Sequence, residues 1–121
     1  MEGNRKQLGA LAEKLAADHL QRKGYKILVR NYRCRYGEID VIALDGRTLV
    51  FVEVRAKGST GFGTPQESIT HQKRLKVREV ARHYLTNEVQ KGSFCRFDVV
   101  AVQFEAGGRK VKELEHIENA F

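Results

Sequence analysis

The chain has 121 residues, 41% hydrophobic and 31% charged, which suits a single domain spanning 1–121 with a modest core and no need of cross-links. Its 22 Lys and Arg against 15 Asp and Glu leave a net charge of +7. That balance favours a polyanionic partner, nucleic acid before an anionic membrane surface, although a solvated basic face is an equally ordinary use of such charge. Cys34 and Cys95 stand far apart and outside any Cys-x-x-Cys pair, so two buried reduced thiols are expected.

The N-terminal stretch "MEGNRKQLGALAEKLAADHL" carries charge throughout. It has no apolar run of the length a signal peptide or membrane span needs, so a cytoplasmic location away from the membrane is expected. From about Arg5 to Lys23, Leu8, Leu11, Ala12, Leu15, Ala16 and His19 recur on one side of a helix, and Gly24 ends it. "YKILVRNYRC" reads as a strand, and "GEIDVIALDGRTLVFVEVRAK" reads as two more joined at Asp45-Gly46. The glycine-rich "GSTGFGTP", residues 58 to 65, lacks the Lys-Ser/Thr ending of a phosphate loop and is expected to be a mobile loop near the site. Residues 71 to 88 form a second helix with the stripe Val77, Val80, Ala81 and Tyr84, Thr70 as its N-cap and Gly92 beyond its end. "FCRFDVVAVQF" is a fourth strand and Arg109 to Ile117 a fifth. The sum is an α/β sandwich on a mixed sheet, without repeats or linkers.

Charge inside the hairpin is the anomaly. A two-residue turn at Asp45-Gly46 sets Leu44 opposite Arg47, Glu38 opposite Glu53, and Asp40 diagonal to Glu53. Alternation then assigns Glu38, Asp40, Ile42, Leu49, Phe51, Glu53 and Arg55 to one face, and Ile39, Val41, Val50, Val52 and Val54 to the other. Both faces are apolar enough to be covered, so the acids are at least partly desolvated. Crowded carboxylates persist when bases pair with them, protons neutralise them, or a cation binds between them. Two readings follow: ion pairs with Arg55, Arg35 or Lys57 that hold the sheet together, or a Mg²⁺ or Mn²⁺ site for phosphodiester hydrolysis.

Glu13 on the first helix, then Asp40, then Glu53-Val54-Arg55 resembles the PD-(D/E)-x-K nuclease superfamily. "KGYKILVRNYRCRYGEIDVIALDG", "LVFVEVRAK", "FGTPQESIT", "RFDVVAV" and "HIENAF" resemble, in order, the blocks of the bacterial YraN-like family, itself similar to archaeal Holliday-junction resolvases. The resemblance implies a restriction-endonuclease-like fold, a central mixed sheet flanked by helices in the order αβββαββ. It implies a metal-dependent DNA endonuclease, or alternatively a non-catalytic nucleic-acid-binding module that kept the fold. Asp40 and Glu53 match the metal-binding acids and Glu13 the helix acid, with Glu38 assisting. Glu13 lies beside Gly9, Ala16 and Ala17, small neighbours that let it approach the sheet, and its plainer reading is a solvated helix acid.

Arg55 departs from the family pattern, standing where a lysine is expected. A guanidinium stays protonated and cannot serve as a base, but it can stabilise charge on a phosphate. Lys57 and Lys73 are placed to substitute. For DNA contact, Arg30, Arg33 and Arg35 supply cations and Tyr32 and Tyr36 rings for the exposed bases of branched or single-stranded substrates. Arg74, Lys76, Arg78 and Arg82 are expected on a solvated helix face. Asp98 is expected to pair with Arg96 or a hairpin arginine, and Gln72 to offer a polar contact near the site. No histidine has metal-ligand spacing and no serine a nucleophile-elbow context. Cleavage of a junction implies a homodimer with paired sites.

Overall fold

The computed structural model describes residues 2–57, 69–88 and 94–121, with side chains from residue 6 onward; the loop at 58–65, most of the block 62–70 and Gly92 lie outside the described residues. Helix α1, Glu2–Arg22, starts earlier than its apolar stripe indicates. Its buried face is Ala12, Ala16, Ala17 and Leu20, small residues that seat the helix close on the sheet. Gly24, with φ 94, closes it in a Schellman motif. The Gly24 N–H donates to the Gln21 carbonyl at 2.9 Å and the Tyr25 N–H to that of Leu20 at 3.0 Å.

Helix α2, His71–Glu88, has the bounds its periodicity predicts. Thr70 caps it: Oγ1 accepts the Lys73 N–H at 3.1 Å, and its carbonyl accepts the Arg74 N–H at 3.0 Å. Val77, Val80, Ala81 and Tyr84 are all buried.

Strands β1 (Lys26–Cys34), β2 (Gly37–Asp45), β3 (Thr48–Lys57), β4 (Phe94–Phe104) and β5 (Val111–Ile117) lie in that spatial order. β3 and β4 are parallel and the other neighbours antiparallel. Tight turns suffice for the β1–β2–β3 meander, whereas the parallel pair needs a crossover, which contains α2. α1 covers one face, packing with Val41, Ala43, Val50, Val52, Val100 and Val102. α2 covers the other, with Ile39, Ile42, Leu49 and Phe51. This five-stranded mixed sheet with a helix on each face, in the order αβββαββ, agrees with the restriction-endonuclease-like fold. No described helix is long and apolar enough to cross a membrane.

The hairpin register differs from the expected one. Asp45 pairs with Thr48, Leu44 with Leu49 and Ile42 with Phe51, so the turn is centred on Gly46 and Arg47 rather than on Asp45 and Gly46. Gly46 has φ 61 and Arg47 does not have positive φ, the requirement of a turn whose first central residue alone is left-handed. A shift of two residues preserves the faces. Val41, Val50, Val52 and Val54 remain on the α1 side and Ile42, Leu49 and Phe51 on the α2 side. Continued one rung beyond Val41 and Val52, the ladder sets Asp40, not Glu38, across from Glu53.

Ile39 is the exception, packing with Ile42 on the α2 side instead of with Val41. In β1, Val29 and Tyr32 likewise share that side. Both strands therefore lose their alternation at one rung, between Arg30–Val41 and Tyr32–Ile39. The rung consists of Asn31, which is left-handed at φ 55, and Asp40. The expected burial of the thiols is also corrected: both are free, but Cys34 is half-buried and Cys95 exposed. Cys34 ends an edge strand, and Cys95 follows the exposed Phe94 at the entry to β4.

Candidate functional site

The kink at Asn31 and Asp40 takes Asp40 out of regular pairing, and its Oδ2 accepts the Val54 N–H across the hairpin at 2.8 Å. Glu53, beside Phe51 on β3, is only 3% exposed. Its Oε2 lies 3.5 Å from Lys73 Nζ, which the first turn of α2 delivers from the Thr70 cap. Its Oε1 is buried and, among the described residues, has no hydrogen-bond partner. An orphaned carboxylate oxygen in a covered sheet is costly unless something absent from the bare chain takes it up.

Burial first, then the neighbouring Asp40 charge, raises the Glu53 carboxyl from 4.5 to about 7, against the opposing pull of Lys73 and Arg55. Burial likewise raises Asp40 from 3.8 to about 6; the Val54 N–H works against this, and the charges of Glu13 and Glu38 add to it. The two acids titrate as a pair. Half-buried Glu13 on α1 is therefore in electrostatic reach of Asp40 from one helix, while Lys73 holds Glu53 from the other.

Lys73, rather than Arg55, Arg35 or Lys57, makes the ion pair with Glu53 among the described residues. Arg55 is half-buried two residues along β3, and Lys57 is half-buried at that strand's end. Glu38 Oε2 accepts a short hydrogen bond from Arg33 Nε at the sheet edge. Gln72 is exposed. Two desolvated acids with one open oxygen suit a hard divalent cation, which needs only one or two carboxylates and completes its shell with water, although Lys73 competes for the other Glu53 oxygen. Asp40 and Glu53 therefore fit such an ion; among the described residues no group of three or more His, Cys, Asp or Glu side chains is gathered to hold one.

The basic surface divides in two. Arg30 and Arg33 are exposed on β1, an edge strand. Between β1 and β2, Arg35 lies over the Tyr36 ring at 4.9 Å and its Nη2 donates to the Tyr36 hydroxyl at 2.7 Å. The arginines of α2, like Arg33 and Arg35, have local partners. Arg74 lies over Phe121 at 5.7 Å, Arg78 over Phe97 at 4.8 Å, and Arg82 pairs with Glu79 at 3.1 Å.

Asp98 is wholly buried and fully satisfied. Arg96 donates to both of its oxygens, at 2.9 and 3.0 Å, the Asn119 N–H donates at 2.9 Å, and His116 Nε2 lies 2.7 Å away. Burial would raise its pKa, but the hydrogen bonds from His116, Arg96 and Asn119 outweigh it and hold the carboxyl below the usual range. The expected pair with Arg96 is present. The shares of His116 and Tyr25, whose hydroxyl accepts from Arg96 at 2.7 Å, carry no signal in local spacing because 71 residues separate Tyr25 from Arg96.

A helix-flanked mixed sheet with an acidic pair on its inner hairpin defines an α/β protein of the restriction-endonuclease-like kind. Residues 12–102 match the uncharacterised protein family UPF0102, and the chain belongs to that family, the one anticipated above as YraN-like. It is 51% identical over 121 residues to a UPF0102 protein of Pelotomaculum thermopropionicum, covering the whole of both chains. Over the same length it is 47% identical to the UPF0102 protein of Moorella thermoacetica, again covering both chains, and 42% identical to that of Geobacter metallireducens, covering 97% of the latter.

Proposed function

We propose that the chain binds DNA and hydrolyses its phosphodiester bonds with Mg²⁺ or Mn²⁺ held between Asp40 and Glu53. The observation that carries this is the buried Oε1 of Glu53, without a hydrogen-bond partner among the described residues and beside a second desolvated carboxylate. A divalent ion bound there would supply Lewis-acid stabilisation of charge on the phosphate and activation of water. The chain's own part is positional. The Val54 N–H fixes Asp40, and Lys73 holds Glu53 in place while presenting a cation to the phosphate. Glu13 and Glu38 add negative potential that favours cation uptake. Arg55 and Lys57, further along β3, would meet the same phosphate. Symmetric cutting of a branched junction would require two copies.

A second reading, a nucleic-acid-binding module without catalysis, is favoured by Arg55 in the lysine position and by the small acidic set. Incubation with supercoiled, single-stranded and branched DNA in Mg²⁺, Mn²⁺ or EDTA separates the two. Metal-dependent product that Asp40→Asn and Glu53→Gln abolish is expected; binding with no product from any substrate establishes the second reading.

A further inference from the structure

The geometry points to the Arg35–Tyr36 pair as a stacking platform for an unpaired nucleobase, which makes single-stranded or gapped nucleic acid the substrate class. This rests on the nucleic-acid reading above but not on hydrolysis. Tyr36 is 40% exposed, and the guanidinium of Arg35 covers its ring at 4.9 Å, tied down by the 2.7 Å bond to its hydroxyl. His83 of α2 makes an edge-type contact with the same ring at 5.9 Å. A ring and a guanidinium are thus held together at the surface, and either plane can accept a base from an unpaired strand. A paired base inside a duplex cannot offer its face.

Charge and position agree with this occupant. Arg33 is 80% exposed in its side chain, and among the described residues only its Nε is engaged, by Glu38, in a group with five N–H donors. Arg30 follows it along the edge strand, so cations for the backbone run beside the plane for the base. Tyr36 and Asp40 are four residues apart, no more than about 14 Å along an extended strand. A strand anchored by its base at Tyr36 would therefore pass the acidic pair within a few nucleotides.

The test is binding of a short single-stranded oligonucleotide carrying one 2-aminopurine, in EDTA, against a blunt duplex of equal length. The expected results are quenching of 2-aminopurine by the wild type and tighter binding of the single strand. Tyr36→Ala should bind that strand about tenfold more weakly with its salt slope unchanged, and Tyr36→Phe, which keeps the ring but loses the hydroxyl that ties Arg35, should fall between the two. Arg33→Ala should instead lower the slope by about 0.7, one phosphate contact on a single strand. Arg35→Gln, an exposed substitution that removes the second plane without touching the core, should also lose the quenching. Equal affinity for duplex and single strand, or unaltered binding by Tyr36→Ala and Arg35→Gln, overturns the platform. Because EDTA prevents metal-dependent cleavage, a protein that stacks bases but never cuts DNA would refute hydrolysis alone.

Discussion

Lys73 reaches Glu53 with a side chain that is itself 40% exposed, so replacing Glu53 by Gln returns that ammonium to water rather than stranding it in the interior. What the substitution removes is a desolvated charge crowded by Asp40. The metal-free Glu53→Gln protein is therefore expected to be more stable than the wild type above neutral pH, by on the order of 1 kcal/mol, given that one pKa unit corresponds to about 1.4 kcal/mol. The pH dependence has a definite sign. Both carboxyls are raised, from 3.8 and 4.5 to about 6 and about 7, so between those values the folded state binds more protons than the unfolded one. Stability contributed by the pair is present at low pH and lost as pH rises through about 6 to 7. His19 opposes this, since burial and nearby cations lower it below 6.5 and its contribution grows with pH. Urea melts across that range isolate the pair as the difference between wild type and Glu53→Gln: the variant's curve should fall less or rise. A variant that is less stable at every pH and has an unchanged slope would mean that Glu53 is a structural ion pair. The identities of both acids were legible in the sequence, because charge in an apolar hairpin is conspicuous. The partner of Glu53 was not, since nothing local links residue 73 to residue 53 until the crossover brings α2 over the sheet.

The elements were legible wherever independent signals agreed. α2 has its expected bounds because stripe and cap coincide. The hairpin turn was misplaced by one residue because Asp-Gly is an ordinary central pair, and only the pairing of Asp45 with Thr48 selects Gly46-Arg47. The register error was even, so it left Glu53 on the face of Phe51, whereas the kink takes Asp40 out of the alternation. The shared kink of β1 and β2 was hidden, since Asn31 looks like any polar residue of an edge strand. Its left-handed backbone is tolerated by asparagine and suits glycine, but penalises a β-branched side chain. Asn31→Val is expected to cost about 1 to 2 kcal/mol, while Asn31→Gly stays within about 1 kcal/mol of the wild type. If the kink positions Asp40, Asn31→Val should also weaken Mn²⁺-induced stabilisation in thermal melts. An Asn31→Val protein as stable and as Mn²⁺-responsive as the wild type would show that the rung is conformationally indifferent.

Across the whole molecule, one buried carboxylate joins parts that no single element connects. Asp98 on β4 takes Arg96 from its own strand, His116 from β5 and the Asn119 N–H beyond it. Arg96 reaches on to Asp45 of the hairpin at 3.2 Å and to Tyr25 after α1, while Lys23 Nζ meets His116 Nδ1 at 2.8 Å. Because Lys23 donates to Nδ1, the imidazole proton sits on Nε2, facing Asp98. Asp98→Asn removes the one buried carboxylate that pairs with Arg96 and leaves it the more exposed Asp45 and Glu118, and an unfolding cost of about 3 kcal/mol is expected from breaking the buried pair. Asp98 also adds stability that is present above the ordinary carboxylate range and lost as pH falls below it, so its effect separates from that of the hairpin pair, which acts at higher pH. Urea unfolding at neutral pH measures the loss, and an Asp98→Asn variant of wild-type stability would remove the network from the account of the fold.

The parallel ladder between β3 and β4 also orders events in time. Every rung joins residues 46 apart, whereas the β1–β2–β3 meander closes through turns of a few residues. Local closure is fast and distant closure slow. Asp40 and Glu53 can therefore meet in the early hairpin, while Lys73 arrives only with the later crossover. During that interval the two acids lack Lys73 and have only Arg55 of their own hairpin, so a proton, or a divalent ion already in solution, is the species able to complete their neutralisation while the chain is still assembling.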